Sequence, residues 1–447
     1  MADLISIGES IVSRATDAEQ IEVYLLWERE TSIRVYEKDI ESLTSAEASG
    51  VGIRVISNGR VGISYAGTLD VGEIDRTLDE ARDNARFGSV DVFAGVADPD
   101  GIEAPRLDLW SNDLMQAPTD RKIALAMDLE KLTLSKDKRI RSLNSSNYGD
   151  VSVEAAIVNS KGVASFSQQT YCWVWAYALA VANDETQTGY GLHAARGIEQ
   201  IDIEYAANEA AKKATRMLGA IKPSSGSFTA VFEPDITASL LGIVAGTLSA
   251  EAVQKGKSIF SGRIGEQVAS SRLSMYDDPS DARFFSASPY DDEGLASRKN
   301  QLIGDGVLKQ YFYDSYTGRK DNTNSTGSAI RAGISGICTP GPRAVLVAPG
   351  DNTPSDIIAG ISDGVLIQSI SGIHSGVNPV SGDFSVGAEG IRISNGELAG
   401  PIKEFTIASN LQKMMNDISA IGNDLTFRPG GTAGITIAID NINVSGA

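Results

Sequence analysis

Leu4, Ile5, Ile7, Ile11 and Val12 fall at mostly helical spacing in residues 2–16 and predict a short amphipathic helix. Residues 21–28 and 31–37 are β-rich runs separated by charge, which predicts a hairpin. Strands over 51–56 and 61–66 follow, joined by Ser57-Asn58-Gly59-Arg60. An amphipathic helix then begins after Asp70 and runs to about Phe87. Between 88 and 119 the periodicity is lost to Gly, Pro and Asp, as in Asp98-Pro99-Asp100-Gly101 and Ala117-Pro118, and a long surface connection is expected. Thr119-Asp120 caps a helix reaching about Ser135. Long strands over 139–187, with Asn159-Ser160-Lys161-Gly162 as a turn, lead to a helix over about 201–218. Strand, Asn/Gly turn, strand and long helix thus occur in both 51–87 and 151–218, which suggests an internal duplication.

Ile221-Lys222-Pro223-Ser224-Ser225-Gly226 interrupts the pattern and is the best domain boundary, dividing the chain into 1–220 and 221–447. A strand over 228–233 and a helix over 234–253 come next. The remainder consists of short strands, Gly-Pro turns and long loops in a chain with 45 glycines. The expected fold is α+β: an N-terminal antiparallel sheet-and-helix region followed by a mainly β C-terminal domain. Within the latter, residues 372–425 read as a hairpin that feeds a helix. Val380, Phe384, Val386, Ile391 and Ile393 keep an approximate period of two, and Asn395-Gly396 supplies the positive-φ pair of a type I′ turn. Leu411, Met414, Met415 and Ile418 then make one apolar face of a helix over 410–421.

With 42% hydrophobic and 22% charged residues, the chain can bury a sizeable core. Its formal net charge of −19 excludes a general nucleic-acid or anionic-membrane surface, because phosphate binding depends on Lys and Arg displacing counterions. The N-terminus lacks a basic stretch followed by an apolar one, so a cytoplasmic protein is expected. The longest apolar run, 173–182, is about half of what crosses a bilayer and reads as a buried strand. Cys172 and Cys338 stand far apart among apolar neighbours, which rules out a cysteine zinc cluster and predicts two small buried hydrophobes.

Gly376-Val377-Asn378-Pro379-Val380-Ser381-Gly382-Asp383-Phe384-Ser385, the Asn395-Gly396-Glu397 turn and the Ser409-Asn410-Leu411 helix entry resemble the TldD/PmbA proteins, also called modulators of DNA gyrase. Gly256-Lys257-Ser258-Ile259-Phe260-Ser261-Gly262, Asp291-Asp292-Glu293-Gly294, Gly306-Val307-Leu308-Lys309 and the stretch from Tyr311 to Gly327 extend the likeness over at least 225–425. The resemblance implies a two-subunit cytoplasmic metallopeptidase. A TldD-like chain carries the metal, and a PmbA-like chain, also called TldE, completes the enclosure around an unfolded or extended peptide.

In the metal-bearing branch a His-Glu-x-x-x-His lies on the helix after the 228–233 strand, where two imidazoles four apart can grip zinc and the carboxylate can activate water. Here one register puts Gly242, Ile243 and Thr247 at those positions and the other puts Leu241, Gly242 and Gly246 there. The only histidines are His193 and His374, and no cysteine follows Cys338 to serve as the family's third ligand. The resemblance therefore implies the PmbA/TldE-like branch, with no catalytic or metal-binding residue on this chain and zinc on a TldD-like partner. Gly242 and Gly246 would permit close approach at a shared interior, whose alternative is ordinary helix packing.

His374 precedes the signature strand, where a hydrogen-bonded structural role outweighs a catalytic one. Asn378, Gly382, Asp383 and Phe384 are candidates for a peptide groove or subunit contact, because an exposed strand edge can receive an extended peptide. A tight buried hairpin is the competing reading. His193 reads as a surface or hinge residue. Asp291-Asp292-Glu293 could hold Mg²⁺ or Ca²⁺ but reads as a solvated acidic loop, although the family motif implies a structural role there. Gly256-Lys257-Ser258 lacks the earlier glycine of a phosphate loop, since Glu251 stands there, and no Gly-x-Ser-x-Gly elbow occurs. Two further readings remain: a stand-alone homo-oligomeric peptide-binding or regulatory protein without peptidase activity, and a hydrolase using a carboxylate-held metal or a serine.

Overall fold

The computed structural model describes residues 3–446. The first part runs α1 (Leu4–Val12), β1 (Glu19–Tyr36), β2 (Asp39–Ser57), β3 (Arg60–Ala66), α2 (Val71–Phe87), α3 (Asn112–Gln116), α4 (Thr119–Lys136), β4 (Ile140–Asn159), β5 (Ala164–Ala182), β6 (Glu185–Ala195) and α5 (Ile203–Thr215). The strands form one antiparallel sheet in the order β3-β2-β1-β4-β5-β6. Apart from the short α3, helix, three strands and helix follow one another twice.

Alternation decides which face is covered. Ile21, Val23, Leu25, Ile33 and Val35 of β1 are all fully buried, the first three beneath α1 and α2 and the last two beneath α4 and α5. On β6, Gly191 lets α5 approach so closely that a Cβ there would overlap the Ala206 carbonyl.

Two expectations are corrected here. Residues 19–36 are one strand and not a hairpin, because Glu28, Arg29 and Glu30 interrupt the apolar pattern without interrupting the pairing to β2 and β4. The reversal comes instead at Glu37-Lys38, both at positive φ. Part of the 88–119 connection is buried, with Val96, Ala97, Leu109 and Leu114 inside and the Arg319 guanidinium donating to the carbonyls of Phe93 and Gly95 at 2.7 and 2.9 Å.

The second part runs β7 (Gly226–Phe232), α6 (Pro234–Gly246), α7 (Ala250–Gln254), β8 (Met275–Asp277), β9 (Asn300–Gly304), β10 (Val307–Leu308), α8 (Ser315–Asp321), β11 (Ala329–Ile330), β12 (Thr339–Pro340) and β13 (Val345–Val347). It ends with α9 (Pro354–Ala359), β14 (Asp363–Ser371), α10 (Ile373–Gly376), β15 (Asp383–Ser394), β16 (Glu397–Asn410), α11 (Leu411–Asn416), β17 (Ile418–Ile421) and β18 (Ile437–Ser445). The sheet order β16-β15-β14-β7-β18-β17 is closed by β16 pairing back to β18, so five strands make a barrel and β17 extends β18 outside it. Phe232, Phe384, Ile407 and Ile442 are buried in its core together with residues of α6 and α11.

The predicted helix over 234–253 is broken in two. Residues 247–249 leave it, with Phe312 donating to the Leu248 carbonyl and Ala250, the first residue of α7, donating to the Phe312 carbonyl, each at 2.9 Å. The helix expected over 410–421 stops at Asn416 because Ile418 pairs with Ile439, yet Leu411, Met414, Met415 and Ile418 are all buried as their spacing predicts. Val380, by contrast, is half exposed ahead of β15.

The Asn395-Gly396 turn forms as read, with φ of 52° and 81°. Gly396→Ala should cost about 1–2 kcal/mol, since an added Cβ would also press on the Ala359 backbone. Urea denaturation checks this, and an unchanged midpoint would refute the assignment of that turn. Among the described residues, no helix is long and apolar enough to cross a membrane.

Candidate functional site

Glu233 ends the path from β7, Pro234 occupies the first helical position, where its missing N–H costs nothing, and α6 follows. Ile236, Thr237, Leu240, Leu241, Val244 and Ala245 turn inward. The outward face is small and polar, consisting of Asp235, Ser239, Gly242 and Gly246.

Residues 426–436 fold back along this helix. The Thr237 hydroxyl donates to the Ile435 carbonyl at 2.7 Å and accepts from its N–H at 3.0 Å. A Cβ on Gly242 would lie 3.3 Å from the Thr432 hydroxyl, whereas one on Gly246 would meet nothing within 4 Å. Gly242 therefore faces another segment closely, and Gly246 opens outward.

A chain of charges crosses the helix start. Asp235 accepts from Arg428 at 2.5 Å and from Lys213 at 2.9 Å, and Lys213 lies 3.5 Å from Glu209. Arg428 also donates to the Leu192 carbonyl at 2.8 Å, which ties the 426–436 segment to β6. Burial alone would raise the Asp235 pKa, but the two cations outweigh it and hold the carboxyl below its ordinary range.

This bridge separates two clefts. One, of about 380 Å³, is lined by Tyr205, Arg216, Glu233 and Asp424, and the other, of about 320 Å³, by Tyr190, Leu192, Ser239 and Thr432. Sequence reasoning missed Asp235, Arg428 and Tyr190. Asp235 and Arg428 showed only as single charges and Tyr190 only as an aromatic between Gly189 and Gly191, signals too common to select them.

The residues present do not fit a zinc ion. In either register the motif positions carry Gly242, Ile243 and Thr247, or Leu241, Gly242 and Gly246, and the Thr247 hydroxyl is committed to the Val244 carbonyl at 2.6 Å. Nitrogen, sulfur and free carboxylate donors are all lacking there. Among the described residues, no group of three His, Cys, Asp or Glu could hold a metal.

The remaining candidates line neither cleft. His374 is exposed on the single turn of α10. The Asn378 carboxamide accepts from the backbone N–H of Val380 and Ser381 at 2.9 and 3.2 Å and so builds the turn before β15. Gly382, at φ +81°, packs on the Asn410 side chain, and Asp383 accepts from the Ser381 hydroxyl at 2.7 Å. Phe384 is 1% exposed and belongs to the barrel core. β15 is flanked by β14 and β16, and the Val377–Phe384 bridge covers its start.

His193 accepts the N–H of Asp202, the N-cap of α5, at 3.1 Å, and burial lowers its pKa. Cys172 and Cys338 are buried free thiols, as read. Asp291 and Glu293 are each 1% exposed, so the solvated-loop reading is corrected. The Asp291 carboxylate accepts from the N–H of Glu293, Leu295 and Ala329, and Glu293 accepts from that of Ser315.

The chain matches the PmbA/TldA metallopeptidase family in three consecutive parts: domain 1 over residues 21–85, the central domain over 112–218 and the C-terminal domain over 225–446. It is 26% identical to the metalloprotease PmbA of Escherichia coli O157:H7 over 433 residues, which is 96% of this chain and 92% of that protein. Among solved structures, TldE from Thermococcus kodakarensis gives a TM-score of 0.89 at 24% identity over 99% of both chains. A Thermotoga maritima protein described as a modulator of a DNA gyrase gives 0.90 at 24% identity over 98% of this chain and 99% of that one. These two structures share the fold.

Proposed function

Because the chain belongs to the PmbA/TldD metallopeptidase family, we propose that it is the metal-free, PmbA/TldE-like subunit of a two-subunit cytoplasmic peptidase. The observation that carries this reading is the side-chain chemistry of α6 and residues 428–435. Glycine, isoleucine, leucine and threonine stand where a zinc peptidase needs imidazoles, a carboxylate and a thiolate. Zinc, the activated water and hydrolysis then come from a TldD-like partner. This chain contributes part of the enclosing wall and selects unfolded or extended peptides.

The test is reconstitution. The purified chain should retain no stoichiometric zinc and cleave no peptide. Mixing it with a His-Glu-x-x-x-His paralogue should give cleavage that a chelator abolishes. Zinc at one per chain, or cleavage by this chain alone, would overturn the assignment.

A further inference from the structure

The N-terminal sheet has two unlike faces. Cys172, Val174, Ala176 and Ala178 of β5 are fully buried beneath α4 and α5. The intervening residues point the other way, and Trp173 and Trp175 are only half-buried there, with Tyr177 and Tyr190 36% and 37% exposed.

These rings form a row. Trp175 and Tyr190 have centroids 5.8 Å apart, and the Trp173 indole lies across Gly149 of β4, where a Cβ would overlap it. With glycine beneath it, the indole lies along the sheet and presents its flat surface. The row ends at Tyr190 and Leu192, which line the cleft beside the small-residue face of α6. Floor and wall are continuous.

Charge borders the same face. Glu30 pairs in register with Val151, which pairs with Tyr171. Glu28 pairs likewise with Val153, opposite Gln169. Both carboxylates thus stand about two strand spacings, roughly 10 Å, from β5. Glu28 is half-buried and Glu30 exposed, and among the described residues neither is in an ion pair of the kind that occupies Glu22 or Asp235.

We infer that this open face, from Trp173 to Tyr190 and bordered by Glu28 and Glu30, binds an extended peptide with alternating apolar side chains and a basic residue, and delivers it to the cleft beside α6. An extended chain repeats every second residue at about 6.6–6.8 Å, the same interval that separates Trp173, Trp175 and Tyr177 along β5. Alternate side chains can therefore stack on successive rings, and a Lys or Arg can reach the two unpaired carboxylates. The inference rests on the reading above in one respect, that the ligand is a polypeptide.

The probe is an unstructured peptide of about ten residues alternating Arg with Phe, with a Glu-for-Arg version as control, titrated into the full chain. Trp27→Phe/Trp110→Phe leaves Trp173 and Trp175 as reporters. Saturable change in their emission is expected, with Trp175→Ala weakening binding about tenfold or more. Glu28→Gln/Glu30→Gln should cut the preference for the Arg peptide about three- to tenfold at low salt. Thermal melts of each variant confirm that the sheet is intact.

Absence of binding, or binding indifferent to Trp175→Ala, overturns the inference. So does a signal that follows protein concentration and not peptide, which would place a second copy on this face. Chelator-sensitive cleavage with the paralogue that keeps its KM in Trp175→Ala would sink the peptide floor and leave the subunit assignment standing. Peptide binding through Trp175 by a chain that holds its own zinc would do the reverse.

Discussion

Glu22→Gln is expected to cost about 3–5 kcal/mol of stability, read as a lower urea midpoint with an unchanged slope. Glu22 is 1% exposed and lies opposite Arg54 in the β1–β2 register. It accepts from the Arg54 guanidinium at 2.7 and 3.2 Å and from Arg331 at 2.5 Å. Burial alone would raise its pKa, but the two arginines overcome that and hold it at about 2. Removing the charge takes away the one carboxylate in direct contact with both buried guanidiniums, and desolvation makes that expensive. Arg331 also donates to the Gly336 carbonyl and lies 5.3 Å above the Tyr24 ring, so the cluster joins the N-terminal sheet to the 331–338 loop. A loss below about 1 kcal/mol would show that water reaches the cluster and that it does not hold the two parts together.

Asp277→Asn should do the opposite at neutral pH. Asp277 is fully buried at the end of β8; one carboxylate oxygen accepts from the N–H of Arg343 and Ala344 at 2.9 and 2.6 Å, and the other has no hydrogen-bond partner. Burial pushes its pKa up from 3.8 to about 6. Between those values the folded chain keeps a proton that the unfolded chain releases. The contribution of this group is therefore fully present below about pH 4 and is lost as pH rises through about 6, a change of about 3 kcal/mol. Asparagine carries no charge at any pH. The stability of the variant relative to the parent should thus rise by about 2–3 kcal/mol from pH 4 to pH 7, measured by denaturant titration at several pH values. A difference that stays constant with pH would refute the burial argument. Burial also raises the pKa values of Asp291 and Glu293, aided by neighbouring carboxylates, so both act in the same direction.

Features encoded by adjacent residues were legible before any fold was known. The Asn58-Gly59 and Asn395-Gly396 turns, α2 from its 3.6-residue period and the burial of Leu411, Met414 and Met415 all follow from local spacing. The missing zinc donors were legible too, since with only two histidines and two cysteines no register can supply them. The single strand over 19–36 was not, because its charged middle is held by backbone pairing to strands that arrive later in the chain. Phe384 read equally well as groove or core, since an apolar residue in a strand gives no sign of which side will be covered.

The sequence by itself determined the fold class, the family and the absence of metal donors at α6, because each rests on residue identity or short-range periodicity. Tertiary structure alone decided which charges became buried partners. Glu22 meets Arg331 and Asp235 meets Arg428 across 309 and 193 residues, and long-range pairing of that kind leaves no trace in local pattern. It also decided that the signature hairpin closes into a barrel, while an aromatic row from the other half of the chain stays open beside α6. Whether a strand's second face is covered depends on elements folded elsewhere, not on the strand's own alternation.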